Sequence, residues 1–520
     1  MSYDKDNYFD EPYRSSELKV NSLCPFNAEP KSQYLISSFL SSNDLFYVRN
    51  HAPVPHIDIK SYRLLIDGFV DKAKLYDFDE LTNGLKFPIK SHAATLMCAG
   101  NRRNEMSKLK KVKGVGWDQG ALSTALWSGI LLKDVLIDVG VNMLDDSLHV
   151  DFEGMDFHLS KPIDRTYYSN PETLDPLFKT LNISLEDQQV QNYLNPIMTS
   201  PLSGYGSSIP IHKAAISDEC VMLAWMMNGE ILNFDHGFPM RVIVPSYIGA
   251  RSVKWLWRIT VSKHESENFY QQRDYKVFPP HVDWDTVDPL WDKYPAIQCL
   301  TPQAAICSII ADCNDKKNEI YDGSSDNVCK VPFNMYDVKI SILIRGYALT
   351  CHGNIAVELS LDEGKNWVTP KLHQNNNMLL NKPNSNINND IFLNDLSKNT
   401  LLKSSISTSL KDAWSFWEYN AVIEIPCQII CRAFKVENGI ECNKEQKWPT
   451  VLIDPNSQIM PEKLEDIWNL RGVMNNAWHK IKIELCTMML LGDNNFLNIR
   501  DLDSIVIDSQ KDDQILEIML

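Results

Sequence analysis

The segment TLMCAGNRRNEMSKLKKVKGVGWDQG, residues 95–120, holds the residue best placed to do chemistry. Cys98 follows a short apolar run and precedes the small-residue turn Ala99-Gly100, with Arg102 and Arg103 close behind. Guanidinium charge beside a thiol favours the thiolate, which is the form that attacks electrophiles and ligates soft or high-valent metals. A cysteine at the end of an apolar run also reads as a small buried hydrophobe. Gly114, Gly116 and Gly120 do not make a dinucleotide loop, because Gln119 stands where its third glycine belongs. Lys108, Lys110, Lys111 and Lys113 read as a solvated face, with a phosphate-facing role as the alternative.

Further segments carry Arg, His and Tyr. FYVRNHAPVP, residues 46–55, holds Tyr47, Val48, Arg49, Asn50 and His51, and its prolines keep the chain there extended. NFDHGFPMRVIVPSYIGARSVKW, residues 233–255, offers His236, Arg241, Arg251 and Lys254. In QQRDYKVFPPHVDW, Tyr275 lies between Arg273 and Lys276. In IWNLRGVMNNAWHKIKI, Arg471 stands among apolar and aromatic residues, as an anion-binding or a structural arginine would. Separate segments that each supply Arg and His point to one anionic ligand of substantial size. The chain as a whole is acidic, with a formal net charge of −16. Nucleic acid and anionic membrane surfaces are therefore disfavoured as general partners, and an anionic substrate needs such local basic clusters.

The elements that must hold these residues belong to a folded, multidomain chain of 520 residues with 44% hydrophobic and 23% charged residues. No apolar stretch of about 18 residues is present to cross a membrane as a helix. The 12 cysteines include no C-x-x-C pair, and Cys427 and Cys431 read as buried small hydrophobes. Up to about residue 290 (the boundary is approximate), strand-like runs such as YRLLIDGFV, HVDFEGM and VKWLWRITV interleave with helical ones. SGILLKDVLIDVGV reads as an amphipathic helix ended by Gly140. Residues 295–335 read as a linker with an insertion. Beyond it VKISILI, IAVELSL, AVIEIP and IICRAFKV show the short alternating strands of a β-sandwich. The Asn- and Ser-rich stretch 374–410 reads as a surface loop. The expected class is α+β, a mixed α/β domain followed by an all-β sandwich.

Taken in order, PFNAEP, FYVRNHAPVP, MCAGNRRNEM, VKGVGWDQGALSTALWSG, DFEGMD, YGSSIP, DHGFPMRVIVP, GARSVKW, RDYK and WNLRGVMNNAWH resemble eukaryotic sulfite oxidase, in the superfamily that includes eukaryotic nitrate reductase. They span residues 25–480. The resemblance implies a molybdopterin-binding domain over 25–294 and an immunoglobulin-like dimerisation domain over 295–490. An N-terminal extension, 1–24, and an acidic tail, 491–520, flank them. It implies molybdenum held by one pterin dithiolene and by Cys98, and oxidation of sulfite to sulfate by oxygen-atom transfer. The cofactor carries the hard step and the protein supplies position and charge. Tyr47, Val48, Arg49, Asn50, His51, Asp156, His236, Arg241, Ser252, Val253 and Lys254 match the family's pterin-contacting positions. Arg49, Arg103, Trp117, Tyr275 and Arg471 match its anion pocket.

Nitrate reductases share Cys98 and most of the pterin set, and usually differ at the positions of Tyr275 and Arg471, so RDYK and WNLRG favour sulfite. A nitrate-reducing module and an inactive pterin-binding scaffold are the alternatives. The chain departs from the family in lacking an HPGG-type haem-binding segment and in having long insertions at 157–204 and 374–410. The expectations are therefore no haem, electrons passed to an external small acceptor such as oxygen, and a homodimer. The compartment expected is the cytosol, with the mitochondrion or peroxisome as alternatives.

Overall fold

The structure is a computed structural model. It describes residues 8–157, 204–313, 316–321, 323, 328–332, 339–351, 355–373, 410–435, 456–459, 464–486, 488–491 and 495–498. Residues 158–203 and 374–409, the bulk of both insertions, lie outside the described residues, as does most of the acidic tail.

Three sheets build the first part of the chain. β1 (Leu18–Leu23), β2 (Phe26–Pro30) and β3 (Val48–Arg49) form a small antiparallel sheet. Its register sets Asn27 opposite Arg49 and Ala28 opposite Val48. The extension before residue 25 is thus part of the domain, since β1 pairs along β2. In the second sheet β6 (Ile89–Met97), β7 (Leu122–Leu131), β10 (Met222–Met227) and β11 (Glu230–Ile231) lie in order, and β12 (Arg241–Ile243) pairs with β10. In the third sheet β4 (Arg63–Gly68) and β13 (Leu256–Ser262) run parallel at the centre. β5 (Lys74–Asp77) flanks them on one side, and β8 (His149–Gly154) and β9 (Gly206–Pro210) on the other. The helices are short, α1 (Ser32–Leu35), α2 (Phe78–Thr82), α3 (Arg103–Leu109), α4 (Leu132–Asp138) and α5 (Ile211–Ala215). SGIL, expected in a helix, closes β7 instead. β7 is sandwiched between β6 and β10 and buried on both faces, which erases the alternation that marks a half-exposed strand. Only LKDVLID is helical, and Gly140 at φ 75° follows as its stop.

The second part is a sandwich of two antiparallel-rich sheets. One holds β14 (Gln303–Cys313), β15 (Lys316–Tyr321), β17 (Lys339–Leu349), β19 (Lys371–His373) and β20 (Ser415–Glu424). The other holds β16 (Val328–Pro332), β18 (Ile355–Ser360), β21 (Cys427–Lys435) and β22 (His479–Cys486). Ile306, Ile344, Leu359, Trp417, Ile429 and Ile481 close the space between them. The alternating pattern of β17 (exposed, buried, exposed, buried) is the signal that makes VKISILI legible. Residues 303–313, within the stretch expected to be a linker, are instead a long strand paired with β17 along its length.

The two parts meet over Cys98. Asn101 Nδ2 donates to the Tyr347 hydroxyl (3.0 Å), which donates to the Gln119 carbonyl (3.0 Å). The Met474 N–H donates to the Ala99 carbonyl (2.7 Å), and Arg102 Nη1 to the Ala477 carbonyl (2.8 Å). The loop leading into β22 is thereby laid against the turn that carries the thiol.

Candidate active site

Cys98 sits one residue beyond the end of β6 and is 5% exposed. Its N–H donates to the Ala121 carbonyl (2.9 Å), and the Gly100 N–H points at Sγ (3.4 Å). The chain then turns sharply through Arg102, a non-glycine residue at φ 63°. Such backbone costs about 1–2 kcal/mol and persists only where the surroundings impose it. Here Glu105 and the Ala477 carbonyl clamp the Arg102 side chain. Arg102 is structural, whereas Arg103, the next residue, lies beneath the site. Its Nε donates to the carbonyls of Arg471 and Gly472, and its Nη1 to that of Val115. Gly100 and Gly114 make room for it, since a Cβ on either would fall within 2.6 Å of its guanidinium nitrogens. That is the work of Gly114 in the glycine-rich run.

A cavity opens on Cys98. Tyr47, Arg49, His51 and Tyr275 line it near the thiol, and His236, Arg241, Ser252, Val253 and Lys254 line it elsewhere, with Asp156 and Tyr205. A wider cleft of about 1580 Å³ opens beside it, walled by Lys113, Tyr270, Arg273, Asp274, Trp284 and Arg471. Arg49 and His51 line both, so they form the shared wall. The predicted residues from distant segments therefore converge. Val48 and Asn50 do not line either cavity; Val48 packs in a small cluster with Phe26 and Ala28. Arg103 and Trp117 likewise lie behind the walls. Trp117 is fully buried, edge-on to Tyr47 (ring centroids 6.5 Å apart), with no partner for its Nε1 among the described residues.

The electrostatics of the inner cavity follow from burial. Arg49 Nη1 donates to Asn27 Oδ1 (3.0 Å) and the Asn50 carbonyl (2.7 Å), which fixes its guanidinium at the wall. The Tyr275 hydroxyl hydrogen bonds His51 Nε2 at 2.9 Å, and burial pushes the phenol up to about 12, so it stays a donor at neutral pH. His236 Nε2 donates to the Asn43 carbonyl (2.9 Å), and burial lowers the ring to about 4, so the imidazole is neutral. Burial also lowers Lys254 to about 7 and Arg241 to about 10, and raises Asp156 to about 7. Arg241 Nε and Asp156 Oδ1 are buried without a hydrogen-bond partner among the described residues.

Unmet donors and an unmet acceptor around one cavity, with cations short of counter-charge, are what an anionic heterocycle with exchangeable N–H and carbonyl groups would satisfy. Among the described residues no three His, Cys, Asp or Glu side chains cluster as a metal cage. A metal at Cys98 must therefore draw its other ligands from a cofactor, and a dithiolene-bearing pterin supplies the matching soft sulfurs. The residues fit that group.

Residues outside the predicted set position the predicted ones. Asn27 holds Arg49 and accepts from the Asn50 N–H (3.1 Å). Glu29 accepts from the N–H groups of Asp118 (3.0 Å) and Gly120 (2.9 Å), fixing the loop that carries Trp117. Asp274 pairs with Arg471, and Tyr205 stacks on His51 at 4.5 Å. The strings PFNAEP and RDYK carry Asn27, Glu29 and Asp274 in plain view, but the π-helical turn Tyr270–Asp274 that Asp274 ends is revealed only by tertiary packing.

Fold and site together define a molybdopterin-dependent oxidoreductase. The chain matches the oxidoreductase molybdopterin binding domain over residues 51–183 and 173–270, and the Mo-co oxidoreductase dimerisation domain over 325–486. It is 33% identical to the sulfite oxidase of Arabidopsis thaliana, over 92% of this chain and 96% of that one. It is 34% identical to the mitochondrial sulfite oxidase of Homo sapiens, over 92% and 68% respectively. Nitrate reductase [NADH] 1 of Phaseolus vulgaris matches at 29% over 91% of this chain and 43% of its own length. The crystal structure of the sulfane dehydrogenase SoxCD from Paracoccus pantotrophus superposes with a TM-score of 0.54 at 18% identity, covering 94% of this chain and 90% of that one, which shows a shared fold. The chain belongs to the sulfite oxidase and nitrate reductase molybdenum superfamily. In the described residues no helix is long and apolar enough to cross a membrane.

Proposed function

We propose that this protein oxidises sulfite to sulfate at a molybdenum centre ligated by Cys98, as a homodimer, and delivers the electrons to a small external acceptor, molecular oxygen foremost. The observation that carries the reading is the meeting of Arg49, Tyr275 and Cys98 on one cavity, with Arg49 also lining the adjoining cleft that holds Arg471. When bound, the cofactor supplies an oxygen atom to sulfur and takes up two electrons.

The remaining work falls to the chain. Arg273, Lys113 and Arg471 gather anions into the outer cleft of an otherwise acidic molecule. Arg471, held on Asp274, lines the outer cleft and presents guanidinium charge to an anion there. Arg49 offers fixed, always-charged donors at the shared wall. Tyr275, oriented by His51, donates a hydrogen bond beside the thiol and keeps its own proton. Trp117 backs Tyr47 and closes the thiol end of the cavity to water.

Sulfite is favoured over nitrate by the sulfite oxidase type of residue at Tyr275 and Arg471 and by relatives named sulfite oxidase at 33% and 34% identity. The test is turnover of the purified full chain on sulfite and on nitrate, with oxygen, ferricyanide and cytochrome c compared as acceptors. Sulfite-dependent oxygen uptake with peroxide formed is expected. Nitrate turnover with a reduced dye, and none on sulfite, would reverse the assignment.

A further inference from the structure

The N-terminal segment before β1, which lies outside the matched motifs, reaches Asp235, next to the cavity-lining His236. Arg14 Nε donates to Asp235 Oδ2 (2.7 Å) and Nη2 to Oδ1 (2.8 Å), a bidentate pair whose side chains are 12% and 6% exposed. The Arg14 guanidinium also lies 3.9 Å above the Phe26 ring. Glu11 completes the attachment, pairing with Arg14 through Oε2 and accepting the Val54 N–H through Oε1 (3.0 Å).

The charge of Asp235, a carboxylate adjoining Lys254, already has a cation: Oδ1 accepts from Asn50 Nδ2 (3.0 Å) as well as from Arg14. Lys254 Nζ meets only neutral acceptors there, the Asp235 carbonyl (2.8 Å) and Asn50 Oδ1. Lys254 thus makes no direct ion pair among the described residues, and on the cavity wall the other charged groups acting on it are Arg241 and Asp156. An ammonium in this position turns to whichever anion is nearer and less occupied.

We propose that Arg14 is a positioning residue for cofactor binding: by occupying the Asp235 carboxylate it leaves the Lys254 ammonium to the anionic pterin. Without Arg14, Asp235 is a buried, uncompensated carboxylate next to Lys254, and the lysine becomes its counter-ion at the cofactor's expense. This rests on the pterin reading of the cavity.

The test uses the full-length protein loaded in a molybdenum-replete host. Molybdenum is counted by elemental analysis, and pterin release after dilution is followed by fluorescence of the oxidised pterin. Pterin-free protein from a cofactor-deficient host gives a melting temperature that separates folding from retention. Arg14→Ala is expected to release pterin about tenfold faster or more than wild type. Adding Asp235→Asn to that variant removes the competing charge and should slow release again. Release from Arg14→Ala at the wild-type rate would overturn the proposal. So would a fast release that Asp235→Asn does not slow, since the segment would then act only as a cover. Wild-type protein without any pterin would count against the cavity reading itself, a distinct failure.

Discussion

Replacing Arg471 by Met gives a quantitative test of the anion path. Met keeps an unbranched apolar stem and removes the guanidinium and its charge. Two losses result. The guanidinium no longer donates to sulfite, and a hydrogen bond to a charged group contributes about 1.5–3 kcal/mol. Asp274 also loses its cation, and a bare carboxylate about 8 Å from a substrate charge opposes it by about 2 kcal/mol at an effective dielectric constant of about 20. Allowing for screening in a cleft open to solvent, the sum is about 3–4 kcal/mol, two to three powers of ten in kcat/KM. Because Arg471 lines the outer cleft and not the cavity that holds the thiol, the loss should fall mainly on KM. Arg471→Met with Asp274→Asn removes the repulsion and should recover about tenfold. The assay is steady-state sulfite oxidation with ferricyanide, normalised to molybdenum content. A KM within about threefold of wild type, with no recovery in the double variant, would refute the reasoning.

Other consequences can be checked alongside. Tyr275→Phe removes the hydroxyl held by His51 and should lower kcat about tenfold or more while pterin content stays the same, read by single-turnover kinetics. Gly100→Ala would set a Cβ 2.5 Å from Arg103 Nη2 in a packed region, so activity and melting temperature should both fall, by about 1–3 kcal/mol in stability measured by denaturant titration. His92 Nε2 hydrogen bonds Asp412 Oδ2 at 2.9 Å in the interior; burial acts to lower the imidazole, but the bond and charge of Asp412 outweigh it and raise it to about 9. The folded value exceeds the unfolded value near 6.5, so the pair contributes fully below that pH and is lost as pH rises through about 9. Melting temperature should therefore fall from pH 7 to 9.5 in wild type (about the span of this titration) and change less in His92→Gln.

How much of this can be read from sequence depends on where each residue's signal lies. Strands half-exposed to solvent, such as β17, advertise themselves by alternation. β7 does not, because both its faces are buried, and β14 is hidden in the same way. Cys98 and Arg102 are equally visible in sequence, yet one faces the cavity and the other braces the turn; the positive φ at Arg102 that separates them is a backbone property. Arg49, His51, Tyr275 and Arg471 come from segments far apart in the chain, and the ordered motifs unite them before any distance can. Asn27 and Asp274, which orient Arg49 and Arg471, and Asp235, which holds Asn50, are ordinary polar residues whose roles exist only through contacts such as Arg14 to Asp235, 221 positions apart.

That Cys98 holds the molybdenum at which sulfite is oxidised is tested most directly by measuring molybdenum content and sulfite turnover together on purified wild-type protein and Cys98→Ser. Molybdenum bound in proportion to chain and sulfite-dependent turnover are expected in wild type, with turnover abolished in the variant. Full turnover by Cys98→Ser, or sulfite oxidation by wild-type protein free of molybdenum, would contradict that role.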